Sequence, residues 1–305
     1  MADEYILEAR DLHYTYTDGT AALNGLTLGI KRGETTAVLG GNGAGKSTLF
    51  LSFNGILKPG AGAVLFKGRP IEYSRKGLHE LRQSVGIVFQ DPDSQLFSAS
   101  VAQDISFGAV NLKLPEAEVR RRVNTAMERT GIAHLKEKPT HCLSFGQKKR
   151  VAIAGVLAME PEVLVLDEPT AGLDPMGVSE IMKLLREIQS ELGLSVVIST
   201  HDLDIVPLYC DYAYVMDRGR IRLSGTPSEV FGQAEAIRSV NLRLPRIGHL
   251  MEILRDKDGF DFAGPANTIS QARKAMNDWR DCHRTPGAPV ANSRSGRRAD
   301  CTNGS

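Results

Sequence analysis

The sequence predicts an α/β fold, with a core sheet of mainly parallel strands, a small antiparallel β layer, a helical insertion and a small C-terminal extension. Three observations predict it. A glycine-rich segment, Gly40 to Thr48, directly follows the apolar run at 36–39. A second apolar run, at 163–166, ends at two adjacent carboxylates. Other short apolar runs alternate with helical patterns, which is typical of parallel strands joined by helices.

The composition places the chain among ordinary globular proteins. Its 305 residues are enough for one large α/β domain and an appendage. A net charge of +1 gives no reason to expect a nucleic-acid partner. The four cysteines lack paired spacing, which argues against a zinc site or a disulfide framework and favours a reducing compartment. We expect no signal peptide and no membrane span, so any membrane association would come through a partner.

The glycine-rich segment has the pattern of a phosphate-binding loop, and the strand before it and helix after it provide the context that the pattern needs. We expect its members to surround a nucleoside triphosphate: Gly40, Gly41, Asn42, Gly43, Ala44, Gly45, Lys46, Ser47 and Thr48. Glycines let the backbone curl so that its N–H groups point at phosphate oxygens. Lys46 would reach the β- and γ-phosphates, and the Ser47 hydroxyl would bind Mg²⁺. The segment therefore predicts a P-loop NTPase domain.

The chain ahead of this loop is predicted to form the antiparallel layer. Residues 4–31 contain short strand-like runs, with a turn signal at Asp18-Gly19. Tyr14 and Tyr16 precede that turn. One of them would stack on a nucleobase, or else both are aromatic residues of the core that pack across strands.

A helical insertion follows the apolar run at 85–89, which ends at Gln90. Residues 100–158 have a helical pattern, and within it Ser144 and Gln147 have the spacing of a capping box. The segment is either simply a well-capped helix or a helix start that presents free N–H groups to an anion. The residues alone favour neither reading.

Asp167 and Glu168 end the apolar run at 163–166. Two adjacent carboxylates at the end of a buried strand are costly unless a cation or a reaction uses them. Alternation along a strand would turn them in different directions. We expect Asp167 to serve Mg²⁺, directly or through water, and Glu168 to orient and deprotonate an attacking water. The alternative is a pair of solvated acids in a loop.

Four predicted strands end in residues that would serve one site. The strands near 36–39, 85–89, 163–166 and 195–199 are followed by Gly40, Gln90, Asp167-Glu168 and His201 respectively. In an open parallel sheet, ligands lie beyond the carboxyl ends of the strands. We therefore expect phosphate binding, water positioning, metal binding and a switch residue at one edge. His201 by itself would be an ordinary polar loop residue.

These motifs resemble, in identity and order, those of the ATP-binding-cassette (ABC) ATPases over residues 4–232. The resemblance makes Gln90 the Q-loop residue, 143–147 the signature, 163–168 Walker B, 171–174 the D-loop and His201 the switch. It places the A-loop aromatic on Tyr16. It also implies ATP and Mg²⁺ as ligands, Mg²⁺ at Ser47, Gln90 and Asp167, and hydrolysis by Glu168 with His201, Gln90 and Lys46.

The same resemblance implies a dimer, because cassettes of this family close head to tail. Ser144 and Gly146 of one subunit would then act on the nucleotide held by the other, with Gln147 and Asp174 also near nucleotide. A monomer could not complete the site. One departure is Phe145, where the common signature has glycine; it would put a bulky ring near the partner's nucleotide.

More narrowly, residues 89–97 and 148–159 look like energy-coupling-factor importers, and 241–250 extends the likeness to cobalt-import ATPases of the CbiO type. This implies a second ATPase subunit, identical or paralogous, a CbiQ-type membrane subunit, a substrate-capturing membrane subunit, and a position at the cytoplasmic face of the cell membrane. The histidines are dispersed, so we expect no metal site for the cargo on this subunit.

We therefore expect an ABC ATPase domain over 4–232 with a helical subdomain at about 91–160, an extension over 233–281 and a disordered tail over 282–305. The expected function is ATP hydrolysis that powers cobalt uptake. A nickel or vitamin importer of the same architecture is the alternative. A soluble ABC ATPase acting on DNA or ribosomes is less favoured, because the helical insertion holds no heptad run and no cysteine pair.

Overall fold

The computed structural model describes residues 4–283, which form two sheets flanked by helices. The strands are β1 (Tyr5–Thr15), β2 (Ala21–Lys31), β3 (Thr35–Leu39), β4 (Ala61–Phe66), β5 (Arg69–Pro70), β6 (Val85–Val88), β7 (Val163–Leu166), β8 (Ser195–Thr200), β9 (Tyr212–Asp217) and β10 (Arg220–Gly225). The α-helices are α1 (Lys46–Phe53), α2 (Arg75–Ser84), α3 (Val101–Asn111), α4 (Glu116–Arg129), α5 (Phe145–Leu157), α6 (Pro175–Leu192), α7 (Val206–Tyr209), α8 (Pro227–Phe231), α9 (Ala234–Ser239), α10 (Arg246–Asp256) and α11 (Ile269–Cys282).

The smaller sheet is antiparallel, in the order β2-β1-β4-β5. The turn between β1 and β2 forms where the sequence predicts it: Gly19 has φ +88°, and Thr20 N donates to Asp18 Oδ1 over 2.9 Å. This aspartate-glycine pair reverses the chain because glycine accepts the left-handed backbone and aspartate bonds the main chain two residues on. The antiparallel layer is therefore present beside the loop that follows β3.

The larger sheet has the order β10-β9-β3-β8-β7-β6, with all neighbours parallel except β10 against β9. Its central strands are buried along their whole length because both faces are covered. Alternation decides which face each side chain joins: Ala37 and Leu39 pack with the helices, whereas Val38 packs with α1 and the antiparallel sheet. This sheet brings the carboxyl ends of β3, β6, β7 and β8 to one edge.

Helices α3, α4 and α5 pack against one another and follow β6 in the chain. The inward stripe of α4 consists of Val119, Val123, Ala126 and Met127, at the 3.6-residue period that predicts this helix. Thr130 ends the helix and Gly131 follows with φ +71°. These helices carry the start of α5, which is where the signature residues lie.

Between β10 and residue 283 the chain forms four α-helices, α8 to α11. Helix α9 is anchored in the main core through Ile237, while α10 and α11 enclose a small core of their own around Met251 and Phe262. The prediction of a disordered tail over 282–305 falls, from residue 284 onward, outside the described residues. Between residues 4 and 283, every helix is too short or too polar to cross a lipid bilayer.

Candidate nucleotide-binding and hydrolysis site

The glycine-rich loop joins β3 to α1 and depends on glycine at two positions. Gly43 has φ +77° and Gly45 has φ +103°, in the left-handed region that disfavours side chains. A Cβ on Gly45 would also collide with the carbonyl oxygen of Ala22. The loop can therefore curl tightly at the first turn of α1, where the free N–H groups of the helix lie.

Lys46 is the first residue of α1 and is only 8% exposed. Its Nζ donates hydrogen bonds to the carbonyl oxygens of Gly40, at 2.7 Å, and Gly41, at 3.2 Å. These bonds hold the ammonium group against the loop that it belongs to. A positive charge thus stands beside main-chain donors, an arrangement that favours a polyanion.

Of the two candidate aromatic residues, Tyr16 has the accessible ring. It is 38% exposed, packs edge to face on Tyr14 with ring centroids 5.0 Å apart, and has its hydroxyl 2.9 Å from Thr48 Oγ1. Tyr14 packs instead against the core between the sheets. The interpretation of both tyrosines as core residues therefore fails for Tyr16, which lies at the surface next to α1.

Asp167 connects the loop helix to two strands. Ser47 Oγ donates to Asp167 Oδ2 over 2.6 Å, and Ser199 Oγ, at the end of β8, donates to Asp167 Oδ1. Asp167 itself is 9% exposed, so its charge is held by hydroxyl donors in a mostly dry place. A serine hydroxyl and a carboxylate are the oxygen donors that Mg²⁺ prefers, so these residues fit that ion.

Glu168 faces another way, as alternation along the strand predicts. Its Oε2 lies 2.8 Å from Nδ1 of His201, and its main-chain N–H donates to Ser199 Oγ over 2.8 Å. Glu168 has φ +46°, uncommon for a residue with a side chain. The structure thus brings together the candidate base, the switch histidine and, through Ser199, the candidate metal ligand.

Gln90 follows β6 at the same edge of the sheet, but it joins the cluster only through its main chain. Its carbonyl oxygen accepts a hydrogen bond from Lys149 Nζ over 3.1 Å. Within residues 4–283, its side chain makes no hydrogen bond and is exposed. The structure does not bring the Gln90 amide onto Asp167 or Ser47.

The signature and D-loop residues are engaged at their own helix ends. Ser144 and Gln147 form the predicted capping box: Gln147 N donates to Ser144 Oγ at 3.3 Å and Ser144 N donates to Gln147 Oε1 at 3.1 Å. Asp174 caps α6 by accepting from Gly177 N over 2.7 Å. Across the described part of the chain, no hydrogen bond joins these residues or Gly146 to the phosphate-binding loop of the same subunit.

Phe145, the departure from the common signature, folds back on its own chain. Gly172 in the D-loop has φ +75°, and a Cβ there would stand 2.8 Å from Phe145 Cε1. Lys149 also lies against the ring, with its Nζ 5.2 Å from the ring centroid. Phe145 nevertheless remains 37% exposed at the start of α5.

Sequence reasoning missed two members of the cluster, Ser199 and Lys149. Ser199 is fully buried and hydrogen-bonds both Asp167 and Glu168. The sequence feature that could have indicated it is a hydroxyl near the end of an apolar, buried strand, because a buried hydroxyl needs a hydrogen-bond partner. Lys149 is 2% exposed, and burial lowers its pKa to about 8, against the opposing effect of the carboxylates of Glu168, Asp91 and Asp167. Its neighbours in the sequence are also basic, so the sequence pattern does not indicate that this lysine is buried.

Comparison with known proteins shows which family the chain belongs to. The ABC transporter family model matches residues 23–171. The energy-coupling factor transporter ATP-binding protein EcfA3 of Clostridium perfringens is 69% identical over 92% of this chain and 98% of its own. EcfA of Methanocaldococcus jannaschii is 57% identical over 90% of this chain and 98% of its own.

Two solved structures share the fold. The structure of cbiO1 from Clostridium perfringens, described as part of the ABC transporter complex cbiONQ, has 71% identity and a TM-score of 0.72, covering 82% of this chain and 100% of that one. The ATP-binding cassette MJ0796, solved as a dimer bound to ADP and Pi, has 26% identity and a TM-score of 0.66, covering 72% and 98%. The predicted P-loop fold and family are confirmed: the chain belongs to the ATP-binding proteins of ABC transporters, of the energy-coupling-factor type, and is an ATP-hydrolysing subunit.

Proposed function

We propose that this chain powers the import of cobalt ion as the ATPase subunit of an energy-coupling-factor transporter. The choice of cobalt rests on the likeness of residues 89–97, 148–159 and 241–250 to CbiO-type ATPases and on the 71% identity to a protein described as part of cbiONQ. Nickel ion and a vitamin are the alternative cargoes. The cargo would be bound by membrane subunits, not by this chain.

The observation that carries the ATPase mechanism is the hydrogen-bonded chain from Ser47 through Asp167, Ser199 and Glu168 to His201. The loop amides and Lys46 would hold the triphosphate. Ser47 and Asp167 would hold Mg²⁺, which when bound neutralises phosphate charge, and the exposed side chain of Gln90 would join them once it turns toward the site. Glu168 would accept the proton of a water that attacks the γ-phosphorus, and the bond from that phosphorus to the β–γ bridging oxygen breaks, giving ADP and phosphate. Through its contact with Glu168, His201 would orient that carboxylate.

Tyr16 would stack on the adenine base, since its ring is accessible and adjoins the helix that follows the loop. Ser144, Gly146, Gln147 and Asp174 would meet the nucleotide of a second ATPase subunit. This is supported by the lack of any hydrogen bond from them to the loop of their own subunit, within residues 4–283, and by the dimeric cassette among the similar structures. The ATPase would therefore work as a head-to-tail dimer.

A groove of about 570 Å³ between β6, α3 and α5 is the place where we expect a membrane subunit of the CbiQ type to contact this chain. Phe97 and Phe107, 65% and 51% exposed, pack edge to face beside it with ring centroids 4.8 Å apart. Exposed aromatic pairs next to a groove are typical of partner surfaces. Such docking would keep the ATPase at the cytoplasmic face of the cell membrane.

Transport in vesicles tests this proposal. The chain is reconstituted with its membrane subunits, with ATP supplied on the side of the ATPase, and uptake of radioactive Co²⁺, Ni²⁺ and vitamins is measured. We expect ATP-dependent Co²⁺ uptake that disappears with Glu168→Gln. Uptake of Ni²⁺ or a vitamin in place of Co²⁺ would reject the cargo, and uptake unaffected by Glu168→Gln would reject the mechanism.

Dilution tests the dimer separately. If the site needs a second subunit, the ATPase rate per chain of the purified protein falls as the concentration drops below the dissociation constant of the dimer. A rate per chain that stays constant where light scattering shows only single chains would contradict it.

A further inference from the structure

Lys149 is a buried lysine of α5 whose side chain reaches two loops of the site. Its Nζ donates to the carbonyl oxygen of Gln90 at 3.1 Å and to that of Glu168 at 3.2 Å. The ring of Phe145 lies on a third side, 5.2 Å from Nζ to the centroid. An ammonium group has three N–H donors and no acceptor, so two carbonyls and an aromatic face satisfy it.

The two carbonyls belong to main-chain segments that diverge beyond the ends of β6 and β7. The parallel ladder between β6 and β7 ends with the pair Val88–Leu166, followed by a last hydrogen bond from Asp167 N to Val88 O over 2.9 Å. Beyond that point the main chain offers no further pairing between the two segments. Lys149 bridges the next carbonyls, those of Gln90 and Glu168, and so sets the spacing between the Q-loop and the candidate base.

Glu168 depends on such anchors because of its backbone conformation. A non-glycine residue at φ +46° is strained, and surrounding contacts must hold it there. The contacts are Ser199 Oγ on its N–H, and Lys149 Nζ together with Ala171 N on its carbonyl oxygen. If the bond from Lys149 is lost, Ala171 N alone holds that carbonyl oxygen, so the peptide can rotate and the carboxylate moves with it.

We propose that Lys149 is a positioning residue for hydrolysis, which fixes the main chain of Glu168 relative to Gln90 beneath the ring of Phe145. The inference rests on the proposed role of Glu168 as the base. Lys149 does not bond the phosphate-binding loop, whose own contacts run through Lys46 and Ser47. Its loss should therefore lower turnover while leaving ATP binding unchanged.

The test is Lys149→Met, which keeps the length of the side chain and removes its donors, made in the full chain. We expect kcat to fall at least 10-fold, with KM and the Kd for ATP within twofold of wild type. Lys149→Arg, whose guanidinium can donate to both carbonyls, should recover at least half of the wild-type kcat. The matched control is Lys148→Met: that ammonium pairs with Asp93, at 2.5 Å, and its loss should change kcat less than twofold.

A double variant separates positioning from general loosening of the fold. The slow hydrolysis rate of the Glu168→Gln variant is measured under single-turnover conditions. Adding Lys149→Met to that variant should lower this rate less than twofold, because the group that Lys149 positions has already been changed. An undiminished 10-fold loss in that background, or a wild-type kcat in Lys149→Met alone, would overturn the inference. If the Met variant does not fold, Lys149→Arg decides: a kcat more than 10-fold below wild type in a folded Arg variant also overturns it.

A different variant tests the proposed function. Glu168→Gln alone tests the base. If it abolishes turnover while Lys149→Met is neutral, only the inference about Lys149 fails. If Glu168→Gln leaves turnover intact, the proposed mechanism fails.

Discussion

The phosphate-binding loop and the cluster at the ends of β7 and β8 are adjacent but built differently. The loop depends on the backbone: glycines at 43 and 45 permit the curl, and Lys46 bonds main-chain carbonyls. The cluster depends on side chains from three elements, joined through Asp167 and Ser199. We infer that the loop determines ATP binding and the cluster determines turnover, so that substitutions in the two regions should affect different constants.

The largest expected effect is that of Glu168→Gln. Amide in place of carboxylate keeps the size of the side chain but removes the proton acceptor, so kcat should fall about 100-fold or more while ATP still binds. Phosphate release and ATP binding measure the two effects. Glu162→Gln is the control, since that acid pairs with Lys67 at 2.7 Å outside the site. Unaltered turnover in Glu168→Gln would contradict the separation.

Lys46→Ala should have the next largest effect, and on binding. Removing a charged donor beside the triphosphate is expected to cost about 1.5–3 kcal/mol, or roughly 10- to 150-fold in the Kd for ATP. Calorimetric titration of ATP into the variant measures this. Lys76→Ala, an exposed lysine on α2, should leave the Kd unchanged. Wild-type affinity in Lys46→Ala would remove Lys46 from the binding site.

Ser199→Ala tests the separation of ATP binding from turnover more finely, because the Ser199 hydroxyl hydrogen-bonds Asp167 and Glu168 but not the phosphate-binding loop. Leaving buried partners unsatisfied costs about 1–3 kcal/mol, and we expect roughly a 10-fold lower kcat with little change in the Kd for ATP. Ser195→Ala is a matched control at the other end of β8, where the hydroxyl accepts from Gly33 N over 2.9 Å. It should lower the melting temperature similarly and spare kcat. Equal losses of kcat in both variants would indicate a purely structural role for Ser199.

Tyr16→Ala should have the smallest effect. Loss of an aromatic stack costs about 0.5–1.5 kcal/mol, or roughly 3- to 10-fold in the Kd for ATP, with kcat unchanged. Tyr16→Phe keeps the ring and loses only the contact with Thr48, so it should bind like wild type. If the Phe variant binds as weakly as the Ala variant, the hydroxyl and not the ring is responsible.

The loop could be predicted from the sequence because its function depends on glycines, a lysine and a serine at fixed spacing in one continuous segment. The edge of the sheet was also predictable, since apolar runs ending in polar residues follow from the geometry of parallel strands. The contact between Glu168 and His201 follows from strand order, because β7 and β8 are neighbours.

Other features needed the three-dimensional structure. Lys149 stands in a run of three basic residues, and the packing of α5, not the sequence, decides that it is buried while Lys148 pairs with Asp93. The contact of Phe145 with Gly172 joins a helix start to a distant loop, which no local pattern records. In the extension, the rings of Phe260 and Trp279 pack with centroids 4.7 Å apart, a contact that forms only once α11 packs back on α10.

The most direct test of the proposed separation is to measure the Kd for ATP and the kcat of Glu168→Gln and Lys46→Ala side by side under one set of conditions. We predict that Glu168→Gln binds ATP within about twofold of wild type yet hydrolyses it about 100-fold more slowly, whereas Lys46→Ala binds it at least about 10-fold more weakly. Equal losses of affinity in both variants would show that the loop and the cluster are not separate parts, and would contradict our central claim.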